Sequence, residues 1–226
     1  SSIASGVFSG CENLTTLSLP KSIRTIANDA FEGCSGLQTL YIDCDIRHKE
    51  LFRDANLNNV TIGSSVKHIA TGTFEWSSGK VVLNSDHADA SWFENMSIEQ
   101  FVIAGGVMNI KEGVLSGIQG QLYIDCNNTR ASWFNDISFD EIVISSNVTQ
   151  VAERLFAGYS QKLIIESNCF DKSWVDYGDI SEIVLGNSVT SIKPDTFSEY
   201  NGVLTLDRRE IKSRFLDESN ITHIHT

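Results

Sequence analysis

His223 and His225 stand two residues apart close to the C-terminal end of the sequence. On an extended backbone that spacing puts both imidazoles on one face, the first half of a zinc site. A zinc site needs at least a third protein ligand, and no carboxylate or cysteine accompanies the pair; an exposed terminal strand is the expected reading. His48, His68 and His87 fall in different phases of the chain and do not converge. No GxSxG, HExxH or glycine-rich phosphate loop occurs. Asp43, Asn84, Asp125, Glu166 and Asp207 recur at one phase. With two strand spacings between neighbours they lie ~9.6 Å apart, too far for one calcium ion to bridge a pair, so a solvated acidic edge is expected ahead of a calcium file. Cys11, Cys34, Cys44, Cys126 and Cys169 form no CxxC. Cys11 and Cys34 occupy equivalent positions and come within disulfide range, yet buried free thiols are the favoured reading. No cofactor and no metal are expected.

Charge narrows the partners. The formal net charge is −12 with only 17 Lys and Arg, which excludes the basic stripe that nucleic acid requires and disfavours an anionic membrane surface. No run of eighteen apolar residues is present, so no membrane insertion of this segment is expected. The sequons at Asn13, Asn59, Asn95, Asn127, Asn147 and Asn220 are the product of abundant Asn and Ser, and would matter only in a eukaryotic secretory pathway.

What positions all of these residues is a repeat. Val66, Val107, Val148 and Val189 are spaced by 41 residues, and Phe74, Leu115, Phe156 and Phe197 keep the same interval. Trp92, Trp133, Trp174 and Phe215 form a third file at that spacing. Each unit holds two short β-branched runs bounded by Gly, Asn, Ser and Asp, such as LYI at 122–124 and IVI at 142–144. Runs this short and this regular predict a parallel ladder of about eleven strands, one rung per half unit, with short helical turns or loops on the opposite side. Phe31, Phe74, Trp92, Trp133, Phe156, Trp174, Phe197 and Phe215 are predicted to fill the interior between coils.

Near the N-terminus the pattern is most explicit. IASGVFSGCENLTTLSLP at 3–20 is echoed 23 residues later by IANDAFEGCSGLQTLYI at 26–42. This stretch resembles the BspA-type leucine-rich repeat, a class of surface proteins in host-associated bacteria and some mucosal protists. The resemblance implies a leucine-rich-repeat solenoid and, for some members, adhesion to host matrix proteins. The chain departs from the pattern at Ser77, Ile118, Tyr159 and Tyr200, which replace the family cysteine. A single solenoid over 1–226 is expected, with near-standard repeats and a first composite unit over 1–65 and four composite units over 66–226. Because Ser1 lies in mid-repeat and Thr226 within a strand, the chain is expected to be part of a longer protein, or to associate with itself end to end or face to face.

The middle residue of each short strand is predicted to point away from the core. That file includes Tyr41, Val82, Val102, Tyr123, Val143, Ile164 and Val184, with Lys80, Gln100, Gln121, Glu141, Lys162 and Glu182 as a polar rim. From Val82 to Val184 it is apolar throughout, and as an exposed row it would approach about 300–600 Å², the size at which a patch marks an interaction site. The expected function is therefore non-enzymatic: a protein-recognition or adhesion module of a cell-surface or secreted protein, binding a protein ligand such as a host matrix or surface protein through this face. Val143→Asp is expected to abolish that binding and leave the fold intact. The alternative is a structural spacer that presents another domain. A β-helix-like glycan-active enzyme ranks third, since the repeats place apolar residues where such an enzyme clusters Asp, Arg or Lys.

Overall fold

The computed structural model describes residues 1–175, 180–193, 195–207, 221 and 223–225. It comprises two compact units, Ser1–Val114 and Leu115–Thr226.

Four residues of alternating character suffice for one rung, because a pleated strand sends successive side chains to opposite faces. In the first unit the ladder runs β2 (Thr16–Leu19), β4 (Thr39–Ile42), β5 (Asn59–Ile62), β6 (Ser78–Leu83) and β7 (Ser97–Ile103). All pairs are parallel, and Leu40 faces Val60 and Val60 faces Val81. A β-bulge between Gly79 and Lys80 interrupts the longer β6–β7 pairing. In the second unit the ladder is β8 (Gln121–Ile124), β9 (Glu141–Ile144), β10 (Lys162–Ile165), β11 (Glu182–Leu185), β12 (Val203–Leu206) and β13 (His223–His225), again parallel throughout. These are the eleven short strands of a leucine-rich-repeat-type solenoid. The first unit holds one further sheet that sequence reading did not anticipate, in which β1 (Ser2–Ile3) pairs in parallel with β3 (Thr25–Ile26). Ile3 and Ile26 were visible as repeat anchors, but two-residue strands fall below what periodicity can resolve.

Short 3-10 turns take the place of helices. They span Lys49–Phe52 and Ala90–Trp92 in the first unit, and Ala131–Phe134 and Lys172–Trp174 in the second. Asp89 and Asp171 start two of them by accepting the backbone N–H of Ser91 at 3.2 Å and of Ser173 at 2.9 Å, which satisfies a donor the turn leaves open. Each turn drops an aromatic side chain inward, so that Trp92, Trp133 and Trp174 are all buried.

Within each unit the interior is a stack of such side chains. Phe31 lies between Phe8 and Phe52, at ring-centroid distances of 5.3 and 5.8 Å. In the second unit Phe156 meets Phe134 at 5.7 Å and Phe197 meets Phe170 at 5.8 Å. Pairs of this kind contribute about 0.5–1.5 kcal/mol beyond the area they bury. Phe74 is buried as well, whereas Phe215 lies outside the described residues. A single coil has no second layer to cover its rings; stacking supplies it.

Candidate functional site

On the four-residue rungs β4, β5 and β8 to β12 the second and fourth strand residues point inward. Leu40, Ile42, Leu122 and Ile124 are essentially solvent-free, and the first and third residues therefore form two files on the outer face. In the first unit the third-position file holds Tyr41, which is 46% exposed, the half-buried Val82, and Val102 at 9%. In the second unit Tyr123 and Ile164 are half-buried, while Val143 and Val184 retain only 7% and 8%.

The row expected to stand open is thus closed at alternate rungs. Register gives the reason: Val143 lies directly between Tyr123 and Ile164, and Val184 between Ile164 and Thr205. Val143 is flanked at strand spacing (~4.8 Å) by the larger Tyr123 and Ile164 and is covered by them. Val184 has the larger Ile164 on one side and Thr205, its equal in size, on the other. Tyr41, Val82, Tyr123 and Ile164 are consequently the members that meet solvent, and the valines form a floor. An Asp at position 143 would place a charge on that floor, a desolvation cost that the expectation of an intact fold leaves out.

Beside this file the rim satisfies itself. The Gln121 amide donates to Glu141 Oε1 at 2.6 Å, and Lys162 Nζ pairs with Glu141 Oε2 at 3.3 Å. Thr205 Oγ1 donates to Glu182 Oε1 at 2.6 Å. With its polar groups tied along the rungs, the second unit's face offers mainly an aromatic and aliphatic ridge.

The acidic file has a different role from the solvated edge expected of it. Asp43 accepts from Ser65 N at 2.8 Å and Ser65 Oγ at 3.1 Å; Glu166 accepts from Ser188 N at 3.3 Å; Asp125 accepts from the Asn147 amide at 3.0 Å. Asp125 holds the side chain of Asn147, whereas Asp43 and Glu166 each cap the backbone of the corresponding turn 22 residues further on. A second file, two residues later, does the same and was missed. Asp86 Oδ1 accepts the N–H groups of Met108 and Asn109, at 2.6 and 3.0 Å. Asp45 holds Lys67 N and His68 N, and Asn127 holds Thr149 N and Gln150 N. Asn168 accepts from Thr190 N. Its signal was in the sequence, as Asp45, Asp86, Asn127 and Asn168 repeat every 41 residues.

The remaining candidate groups are structural or dispersed. All five cysteines are free, and Cys34 donates its thiol to Phe8 O at 3.2 Å. Burial pushes the thiols of Cys44 and Cys126 up to about 11. Tyr159 and Tyr200, at the position of the family cysteine, each donate a buried hydroxyl to a strand-entry carbonyl, Lys162 O at 2.9 Å and Val203 O at 2.8 Å. Burial raises both phenols, that of Tyr200 to about 12. His223 and His225 lie exposed on β13. Among the described residues no three His, Cys, Asp or Glu side chains gather to hold a metal ion, and no helix is long and apolar enough to cross a membrane. Trp76, which sequence reading did not single out, is 66% exposed just ahead of β6.

The family profile of the BspA type leucine-rich repeat region, a run of six copies, matches residues 1–120, 47–163, 87–204 and 127–226. The chain belongs to this family. BspA-type repeats are non-enzymatic interaction scaffolds, and in this ladder the inward residues and the capping acceptors set the coil. No curated protein and no solved structure matches the chain.

Proposed function

We propose that this BspA-type solenoid is a recognition or adhesion module of a cell-surface or secreted protein, and that it binds a protein ligand through the outer face of its strands. The supporting observation is the ridge itself. Tyr41 and Val82 in the first unit, and Tyr123 and Ile164 in the second, stand on a rigid parallel scaffold above a floor that includes Val102, Val143 and Val184. Aromatic and aliphatic groups held rigidly lose little conformational entropy on contact, which is what a binding hot spot requires. Host matrix and surface proteins are the partner class that the family suggests.

The test is surface-plasmon titration of the chain against a panel of purified matrix and surface proteins, with Tyr123→Ala and Ile164→Asp as variants. The expected outcome is saturable binding that each substitution weakens by about tenfold or more. Unchanged affinity in both variants would remove the strand face from the reading. Absence of binding to the whole panel, with a monomer in sedimentation, would favour a spacer that presents another domain.

A further inference from the structure

In a chain this acidic, one cleft of the first unit is cationic. It encloses about 120 Å³ and is lined by Arg24, Thr25, Asp45, Arg47 and His48 above a floor of Ile26 and Leu51. The floor residues are buried, at 8% and 2% exposure. The cleft's single carboxylate is already engaged: Asp45 Oδ1 accepts Lys67 N at 2.9 Å and His68 N at 3.0 Å, and its Oδ2 pairs with Arg47 Nη2 at 2.9 Å. The neighbouring cations Lys49 and Arg53 are paired with Glu50, at 3.8 and 3.2 Å. Arg24 and His48 have no side-chain partner among the described residues, and Arg47 spends one donor of its guanidinium fork on Asp45.

We infer that this cleft is an oxyanion-binding site, in which Arg24, Arg47, His48 and the Thr25 hydroxyl receive a sulfate, phosphate or carboxylate group. The volume suits one such group; pockets for drug-sized ligands run to about 300–1,000 Å³. The apolar floor lowers the local dielectric and strengthens each charge-assisted hydrogen bond made above it. Arg is the side chain best matched to such groups, because its planar fork donates two parallel bonds. The site lies apart from the outer files of the strands and stands independently of the function proposed above.

The whole chain would be titrated calorimetrically with sodium sulfate, sodium phosphate and sodium acetate at constant ionic strength, and then with a sulfated oligosaccharide. Saturable binding is expected. Arg24→Gln should weaken it about tenfold, the value of one charge-assisted hydrogen bond. Lys172→Gln, which removes the same charge in the other unit, should change it by less than about twofold. Similar affinity for the inorganic ions and the oligosaccharide assigns the site to a free anion; clearly tighter oligosaccharide binding assigns it to a glycan-borne group. Circular dichroism checks the fold of both variants, and the His48 ring resonance of the unaltered chain provides a readout free of mutation. No saturable heat with any ligand, equal weakening by the two substitutions, or an unmoved His48 resonance would overturn the assignment.

Discussion

Asp86 shows how much of this molecule rests on single polar atoms. Its Oδ1 accepts two backbone N–H groups of the next coil; with a neutral carbonyl at the equivalent positions, Asn127 accepts two and Asn168 accepts one together with the Thr190 hydroxyl. Geometry therefore matters more here than charge. Asp86→Asn should leave the unfolding midpoint in urea close to that of the parent. Asp86→Ala leaves two exposed donors to water and should lower stability by about 0.5–1.5 kcal/mol, read from the same curves. The period of 41 was legible in this file, but its role was not, because Asp and Asn are also the ordinary residues of solvated turns. The middle valines erred the other way. Alternation correctly sent Val143 and Val184 outward, yet the little exposure they keep depends on the side chains of the neighbouring rungs, among them the larger Tyr123 and Ile164.

At the scale of the coil, spacing is limited by backbone approach. A Cβ built on Gly36 would lie 2.0 Å from Glu12 O, a main-chain atom of the preceding coil that cannot swing aside. Gly36→Ala should push the 26–42 coil off the 3–19 coil, lowering stability by about 1–3 kcal/mol, as overpacking typically does. Hydrogen exchange is the sensitive check. Protection should fall at the β2–β4 rungs, Thr16–Leu19 and Thr39–Ile42, while the β4–β5 rungs keep theirs. Nine of the eleven rungs were readable to within a residue, since a three-residue apolar run between turn formers leaves little choice. By contrast, β6 and β7 begin at Ser78 and Ser97, well ahead of their apolar runs at 81–83 and 101–103. The 3-10 turns were readable only as turns or short helices. Their type depends on the few residues available to return the chain while sinking a tryptophan, a condition set by the neighbouring coils.

For the molecule as a whole, acidity governs how stability responds to pH. In the first unit the Ser91 hydroxyl, aided by Ser91 N and Lys111, holds the Asp89 carboxyl below its ordinary range. In the second, Lys193 is the main cause of the same shift at Asp171, with Ser173 N supporting it. A carboxyl whose folded value lies below its unfolded value of about 3.9 stabilises the fold fully above that pH, and the contribution is lost as pH falls through the folded value. Thermal melts from neutral pH down to about 2 should therefore show a decline that begins near pH 4. The Asp89→Asn, Asp171→Asn double variant should show a shallower decline, and a parallel one would assign the acid sensitivity to other carboxylates.

The 41-residue period, the parallel ladder and the inward files follow from sequence alone, because a hydrophobic pattern repeated at fixed spacing has one economical burial, against its own copy. Tertiary structure decided the rest: which outward side chains stay exposed, which carboxylates become caps, and that Arg24, Arg47 and His48 border one cleft. These outcomes turn on side-chain heights and distances between coils some twenty residues apart, which a one-dimensional pattern does not contain.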